Sequence, residues 1–236
     1  MPVTLETAAP LLGTTTVSRK FTLVVTSHGR WEYLKRTLVA LHESVGLGFF
    51  DRLVLSLDGS WGAVPDRHAE QIEAFRFELV DTGYRQGLTA NLSQAWGALT
   101  SADDYVLHVE EDFLIHDAPL EAMADTLDAY RHVANMVLVR QPWNAQEIQA
   151  GSVLKANRHT LTPRDGWIEH RNGFWLNPFV AHSSLLRSLC PGVEKALTEQ
   201  CAARRLVYGY WGGMDDEPRC THIGAEGGMG SPGWKP

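Results

Sequence analysis

The sequence predicts an α/β protein built on a mainly parallel, doubly wound sheet. Short apolar, β-branched runs recur as far as Arg140, clearest at Phe21–Val25, Arg52–Leu57 and Tyr105–Val109. Stretches with apolar residues at helical spacing lie between them. Each of the three runs ends in a polar loop: Thr26-Ser27-His28-Gly29-Arg30, Asp58-Gly59-Ser60 and Glu110-Glu111-Asp112. Strand and helix in alternation build a parallel sheet with right-handed crossovers, and ligands bind beyond the carboxyl ends of its strands. The three loops are therefore expected to converge on one edge.

Residues 1–18 carry Pro2, Pro10, Gly13 and a run of threonines with no sustained period, and read as a flexible arm. The remainder, 19–236, reads as one domain. The first strand begins at Phe21, and Trp31, Leu34, Leu38 and Leu41 then share one helical face up to Ser44. Arg52–Leu57 is the second strand, 66–76 a helix, Phe77–Val80 a third strand and Leu88–Leu99 a further helix. Tyr105–Val109 is the fourth strand, Pro119–Val133 a helix and Met136–Arg140 another strand. This half, 19–140, carries the three polar loops and so the expected ligand-binding edge.

From 141 onward the periodicity weakens. Trp143, Trp167, Phe174 and Trp175 are scattered among Gly, Asn and Pro, which reads as loops and short strands over the sheet. Ser183–Cys190 and Val193–Leu206 read as helices. The glycines between Gly212 and Gly233 are too dense for a regular element and suggest a mobile flap.

Composition narrows the function. The formal net charge is −7, against a broad nucleic-acid surface, although a local positive charge can still hold a small anion. Cys190, Cys201 and Cys220 form no CxxC pair, so they read as packing residues in a reducing compartment. Cys220 and His222 lack a second pair of soft ligands for zinc. No basic segment followed by a long apolar core opens the chain, and no apolar run is long enough to span a bilayer; a cytoplasmic, soluble protein is expected.

Two constellations carry chemistry. Glu110-Glu111-Asp112 follows a buried strand, where a carboxylate gives a divalent cation a hard oxygen from a rigid base. Such a cation stabilises charge developing on a departing diphosphate. Tyr210-Trp211-Gly212-Gly213-Met214-Asp215-Asp216-Glu217 sets aromatics and glycines beside acids able to take a proton from an attacking hydroxyl. Its plainer reading is a glycine turn with capping acids.

These segments resemble GT-A glycosyltransferases. Tyr105–His116 is similar to their strand and Asp-x-Asp-type metal motif, and Glu110-Glu111-Asp112 to the Glu-Asp-Asp form of N-acetylglucosaminyltransferases. Trp211-Gly-Gly-Met-Asp-Asp resembles the Trp-Gly-Gly-Glu-Asp-Asp segment of β-1,4-galactosyltransferases and of many bacterial family-2 enzymes. Leu53–Gly59 and Gly87–Asn91 are similar to further segments of that fold, in the same order along the chain. The resemblance implies a GT-A type, Rossmann-like domain that moves a sugar from a nucleotide-diphosphate sugar, a UDP-sugar, to an acceptor hydroxyl with inversion, using Mn²⁺ or Mg²⁺.

It further implies that Asp112 is the main metal ligand, with Glu110 and Glu111 on the donor side. Thr26, Ser27 and Arg30 would line the nucleotide pocket, Asp58 would bond the base, and Arg85, Gly87 and Asn91 would flank the nucleotide. Asp215 would be the catalytic base, with Asp216 the fallback and acceptor contact beside Trp211, Gly212 and Gly213. His222 stands where several such enzymes place a late histidine on the metal or diphosphate; an ordinary surface histidine is the other reading. Met214 and Glu110 depart from the motifs, replacing an acidic residue and an aspartate. Asn177-Pro178 resembles an acceptor-domain segment, the acceptor itself being a glycan, lipid or protein. The rival readings are a nucleotidyltransferase, whose basic glycine-rich loop is reduced here to Gly29 and Arg30, and a carbohydrate-binding module of the same fold without turnover.

Overall fold

In the computed structural model, which describes residues 18–171 and 173–224, the first strand is buried from end to end. This is β1 (Phe21–Ser27), which sends Leu23 and Val25 to one core and Val24 to the other. A strand buried on both faces needs helices on both sides. α1 (Trp31–Ser44) lays Leu34, Leu38 and Leu41 on the first face. β2 (Arg52–Leu57) pairs parallel with β1, α2 (Asp66–Ala74) adds Ile72, and β3 (Glu78–Asp81) closes that edge. α3 (Leu88–Gly97) crosses to the second face with Leu92, Ala95 and Trp96.

β4 (Tyr105–Glu110) pairs parallel with the free side of β1, and β5 (Phe113–Ile115) follows after the turn at Glu111 and Asp112. α4 (Leu120–Ala129) returns to the first face with Met123 and Leu127. β6 (Val133–Leu138) starts earlier than the sequence suggests, because Asn135 is buried within it and donates its Nδ2–H to Trp175 O at 2.8 Å. An asparagine amid apolar residues hides a strand from pattern reading.

The second half contributes α5 (Ala145–Ala150), α6 (Val153–Ala156), β7 (Leu161–Pro163), β8 (Trp167–His170), β9 (Phe179–His182), α7 (Ser183–Ser188), α8 (Glu194–Ala203), β10 (Val207–Trp211) and β11 (Cys220–His222). Its short strands extend the main sheet, whose order is β3-β2-β1-β4-β9-β6-β10-β8-β7. All run one way except β8 and β9, which are antiparallel to both neighbours. α8 ends before Leu206 because Arg205 takes a positive φ of 58°.

β11 pairs antiparallel with β5 in a small second sheet and falls inside the span read as a flap. No glycine interrupts Cys220-Thr221-His222, so the segment is free to pair. The arm before Ser18 and the tail beyond Gly224 lie outside the described residues. No helix among the described residues is long and apolar enough to cross a membrane.

Candidate functional site

The carboxyl ends of β1, β2 and β4 bring the three polar loops to one edge, and hydrogen bonds tie them together. Ser27 at the end of β1 donates its hydroxyl to Glu111 Oε2. Arg30 donates its backbone N–H to the same oxygen at 3.2 Å, its Nε–H to Glu111 Oε1 at 2.6 Å and its Nη2–H to Asp112 Oδ2 at 2.9 Å. Glu111 is wholly buried, so its carboxylate clamps the β1–α1 loop to the end of β4. Thr26 is buried below, with Oγ1 3.4 Å from His108 Nε2.

The β2 loop closes a second cluster. Asp58 Oδ1 accepts from Gln86 N at 2.7 Å and Gly87 N at 3.0 Å, while Oδ2 lies 3.4 Å from His28 Nδ1. Burial alone would raise the Asp58 pKa, but the two backbone N–H groups and His28 outweigh it and hold the carboxyl below its usual range. Gly87, with φ 87°, precedes α3. Asn91 donates to Ser27 O at 3.0 Å and accepts from Ser56 Oγ at 2.6 Å, joining β1, β2 and α3. Arg85 reaches back to His28 O at 2.8 Å.

Asp112 sits between these loops and the second half of the chain. Its side chain is 7% exposed; Oδ2 takes the Arg30 bond and lies 3.1 Å from His222 Nε2, and Oδ1 is buried with no hydrogen-bond partner among the described residues. Burial works to raise its pKa, yet His222 and Arg30 together bring the carboxyl below its ordinary value. Glu110, partly exposed beside it, is pushed up to about 8 by burial and then by the charge of Asp112, with Arg30 opposing and Glu194 adding to the rise.

His222 reaches Asp112 through the register of the small sheet, where it faces Phe113. Its ring stacks on Phe113 at 4.6 Å between centroids and meets Trp143 edge-on at 4.7 Å, and its backbone N–H donates to Gln141 Oε1 at 2.9 Å. Trp143 lies over the Arg140 guanidinium, itself in a buried ion pair with Glu147 at 2.8 Å. A Cβ at Gly224 would collide with Asp112 Oδ2 and approach His222 Nε2 to 3.0 Å. Glycine there lets the backbone pass close against both groups.

A carboxylate oxygen and an imidazole nitrogen are both donor types that a divalent cation takes. Asp112 Oδ2 and His222 Nε2 meet beside Gly224, and Asp112 Oδ1 is a second oxygen of the same carboxylate with no partner among the described residues. Among the described residues no group of three or more His, Cys, Asp or Glu converges as a closed metal cage. Mg²⁺-type sites commonly take only one or two protein ligands, the rest being substrate phosphates and water.

The glycine–acid segment after β10 is arranged differently. Gly212, with φ 106°, has no room for a side chain, since a Cβ would lie 2.6 Å from Asp216 Oδ2. Asp216 folds back to accept from Gly213 N at 2.9 Å. Asp215 points outward, 84% exposed, with Oδ1 2.7 Å from Lys155 Nζ. Trp211, at the end of β10, faces Leu138 and Trp167 in the sheet. Of the late aromatics, Trp167, Phe174, Tyr208 and Tyr210 are core residues, and Trp143 is the exposed one at 41%.

Sequence reasoning missed Gln141, Arg140, Glu147 and Glu194. Glu194 opens α8 and accepts from Leu176 N at 3.2 Å. The Asn177-Pro178 pair beside it was a visible signal.

No protein-family model and no curated protein matches the chain. Solved structures do. TarS 1-349 of S. aureus superposes with a TM-score of 0.55 at 14% identity, over 88% of this chain and 61% of that one. GalNAc-T7, crystallised with UDP, GalNAc and Mn²⁺, superposes with a TM-score of 0.62 at 10% identity, over 86% of this chain and 43% of that one. The chain thus spans less than two thirds of the length of either structure. With the β3-β2-β1-β4 order and the acidic turn after β4, these likenesses give the chain the GT-A glycosyltransferase fold.

Proposed function

We propose that the chain transfers a sugar from a nucleotide-diphosphate sugar, a UDP-sugar, to a hydroxyl of a glycan, lipid or protein acceptor, with inversion and with Mn²⁺ or Mg²⁺. The observation that carries this reading is Asp112, a buried carboxylate directly after β4 whose Oδ1 has no hydrogen-bond partner among the described residues and whose Oδ2 lies 3.1 Å from His222 Nε2. The crystallised company of GalNAc-T7, UDP, GalNAc and Mn²⁺, supports the ligand class.

In this reading Asp112 and His222 hold the cation, which when bound supplies positive charge to the diphosphate leaving group. Arg30, already on Asp112, adds a fixed positive charge on the nucleotide side. Asp58, Arg85, Gly87 and Asn91 shape the nucleoside end of the cleft, where Asp58 is pinned by backbone N–H groups with its carboxylate ionised. Preorganised charge of this kind does not reorganise as the bond breaks, which is its advantage over water. The proton of the attacking hydroxyl goes to a carboxylate on the acceptor side, for which Asp215 is the candidate from sequence.

UDP release tests the proposal. UDP-glucose, UDP-galactose, UDP-N-acetylglucosamine and UDP-N-acetylgalactosamine are each incubated with the protein in Mn²⁺ or EDTA. Slow, metal-dependent release from at least one donor is expected. Absence of release from all four, together with UDP binding indifferent to Mn²⁺, would overturn it.

A further inference from the structure

We infer that Glu194, rather than Asp215, is the carboxylate that takes the acceptor's proton, with Asn177 as the amide donor beside it. The inference rests on the transfer reading above and assigns one of its steps.

The register of β9 carries it. Phe179 at the start of β9 pairs with His108 of β4 on one side and Val137 of β6 on the other, and Pro178 O accepts from Leu138 N at 2.8 Å. The preceding residues, Leu176 and Asn177, therefore run past the carboxyl ends of both strands, between Glu110 after His108 and Arg140 after Leu138. Glu194 is fastened to that segment by the bond from Leu176 N to Oε1. It thus stands on the same sheet edge as Asp112, on the acceptor side.

Two polar atoms of this edge are unmet. Asn177 Nδ2 is buried without a hydrogen-bond partner among the described residues, as is Asp112 Oδ1. A buried amide donor left open is costly unless something fills the position, and a sugar hydroxyl is a fitting acceptor for it. The electrostatics agree. Burial raises the pKa of Glu194, with only the Leu176 N–H and Arg140 opposing it, and a base is most effective when it holds protons near the working pH.

Asp215 and Asp216 lack these features. Lys155 Nζ pairs with Asp215 Oδ1 at 2.7 Å, and the Asp215 side chain stands 84% exposed rather than held at the buried edge. Asp216 is turned into the Gly212–Gly213 backbone.

The step balances as follows. The acceptor oxygen forms a bond to the anomeric carbon on the face opposite the diphosphate while its O–H bond breaks, and the proton passes to the Glu194 carboxylate. The bond from the anomeric carbon to the diphosphate oxygen breaks, and its electron pair leaves on that oxygen as UDP.

Glu194→Gln tests this, because it preserves size and the acceptor for Leu176 N but cannot take the proton. UDP release in Mn²⁺, with water as acceptor, is measured on a donor that wild type hydrolyses, and UDP affinity by calorimetry. The expected result is a rate lower by roughly 10²–10⁴-fold with UDP affinity near wild type. Sodium azide, which attacks without losing a proton, is expected to restore turnover and give the inverted glycosyl azide. Wild-type release in Glu194→Gln overturns the inference and leaves the transfer reading standing, as does a larger loss in Asp215→Asn. Lost UDP affinity without azide rescue indicates a structural role and also overturns it. Should Glu194→Gln not fold, Glu194→Asp is read by its pH profile, and an unmoved acid limb is the overturning result. If wild type releases no UDP, the transfer reading falls and the inference with it.

Discussion

His222 Nε2 and Asp112 Oδ2 lie 3.1 Å apart although 110 positions separate them in the chain. The contact exists because β11 pairs with β5 in a register that sets His222 opposite Phe113, next to the residue in question. If both groups hold the cation, Asp112→Ala abolishes Mn²⁺-dependent UDP binding. His222→Ala weakens it by roughly tenfold or more, the order of loss when a metal's close environment is disturbed. Calorimetry with UDP, with and without Mn²⁺, decides; a His222→Ala protein of unchanged metal dependence would make this histidine a packing residue.

Arg30 yields a prediction about stability. It is the cation for the fully buried Glu111, and removing one partner of a buried pair leaves the other charge stranded. Its own side chain is 42% exposed, so water relieves part of the cost. Arg30→Ala is expected to lose about 1–3 kcal/mol, below the range for wholly buried pairs. Arg30→Lys recovers little of it, since an ammonium cannot reproduce the fork onto Glu111 and Asp112. Urea unfolding of the three proteins is the measurement, and a loss under about 0.5 kcal/mol in Arg30→Ala refutes the clamp.

The first half of the site was readable because its signals are local. A buried strand followed by a polar loop places Ser27, Arg30, Asp58 and Asp112 on one edge, whatever the rest of the chain does. The acceptor side is not local in this sense. Glu194 looks in sequence like an ordinary acid in the first turn of a helix, and its position depends on β9 reversing direction between β4 and β6. No residue pattern announces that reversal. Asp215 and Asp216 show a different limit: only the backbone of the Gly212–Gly213 turn decides which of two adjacent carboxylates folds inward. The start of β6 is hidden by Asn135, whose amide N–H is met by a carbonyl forty residues away.

Gly224 separates site from scaffold. A methyl group there meets Asp112 Oδ2 and His222 Nε2, the two atoms that face the proposed cation. Gly224→Ala is therefore expected to lower Mn²⁺-dependent UDP affinity by an order of magnitude or more. The melting temperature should move by only a few degrees, because the main sheet is untouched. Calorimetry paired with thermal unfolding checks both halves of the expectation. Wild-type affinity in this variant would show that the space before Asp112 is not where the cation binds.

The last prediction concerns acid. His108 is wholly buried in β4, its ring set against Trp96 and Phe179, and its Nδ1 has no partner among the described residues. Burial pushes its pKa down to about 3, and burial likewise holds His170 down at about 4. An unfolded histidine titrates near 6.5. As pH falls below that value the unfolded chain takes up a proton that the folded chain refuses, so stability is full above about pH 6.5 and drains away toward the folded values. At about 1.4 kcal/mol per pH unit, His108 alone costs about 2 kcal/mol between pH 6.5 and pH 5. His108→Gln cannot titrate and removes that share, while the carboxylates contribute alike in both proteins. Urea unfolding of wild type and variant at pH 7.5 and pH 5.0 should show the wild type losing about 2 kcal/mol more than the variant between the two. Equal losses would mean that His108 is not held neutral by the core.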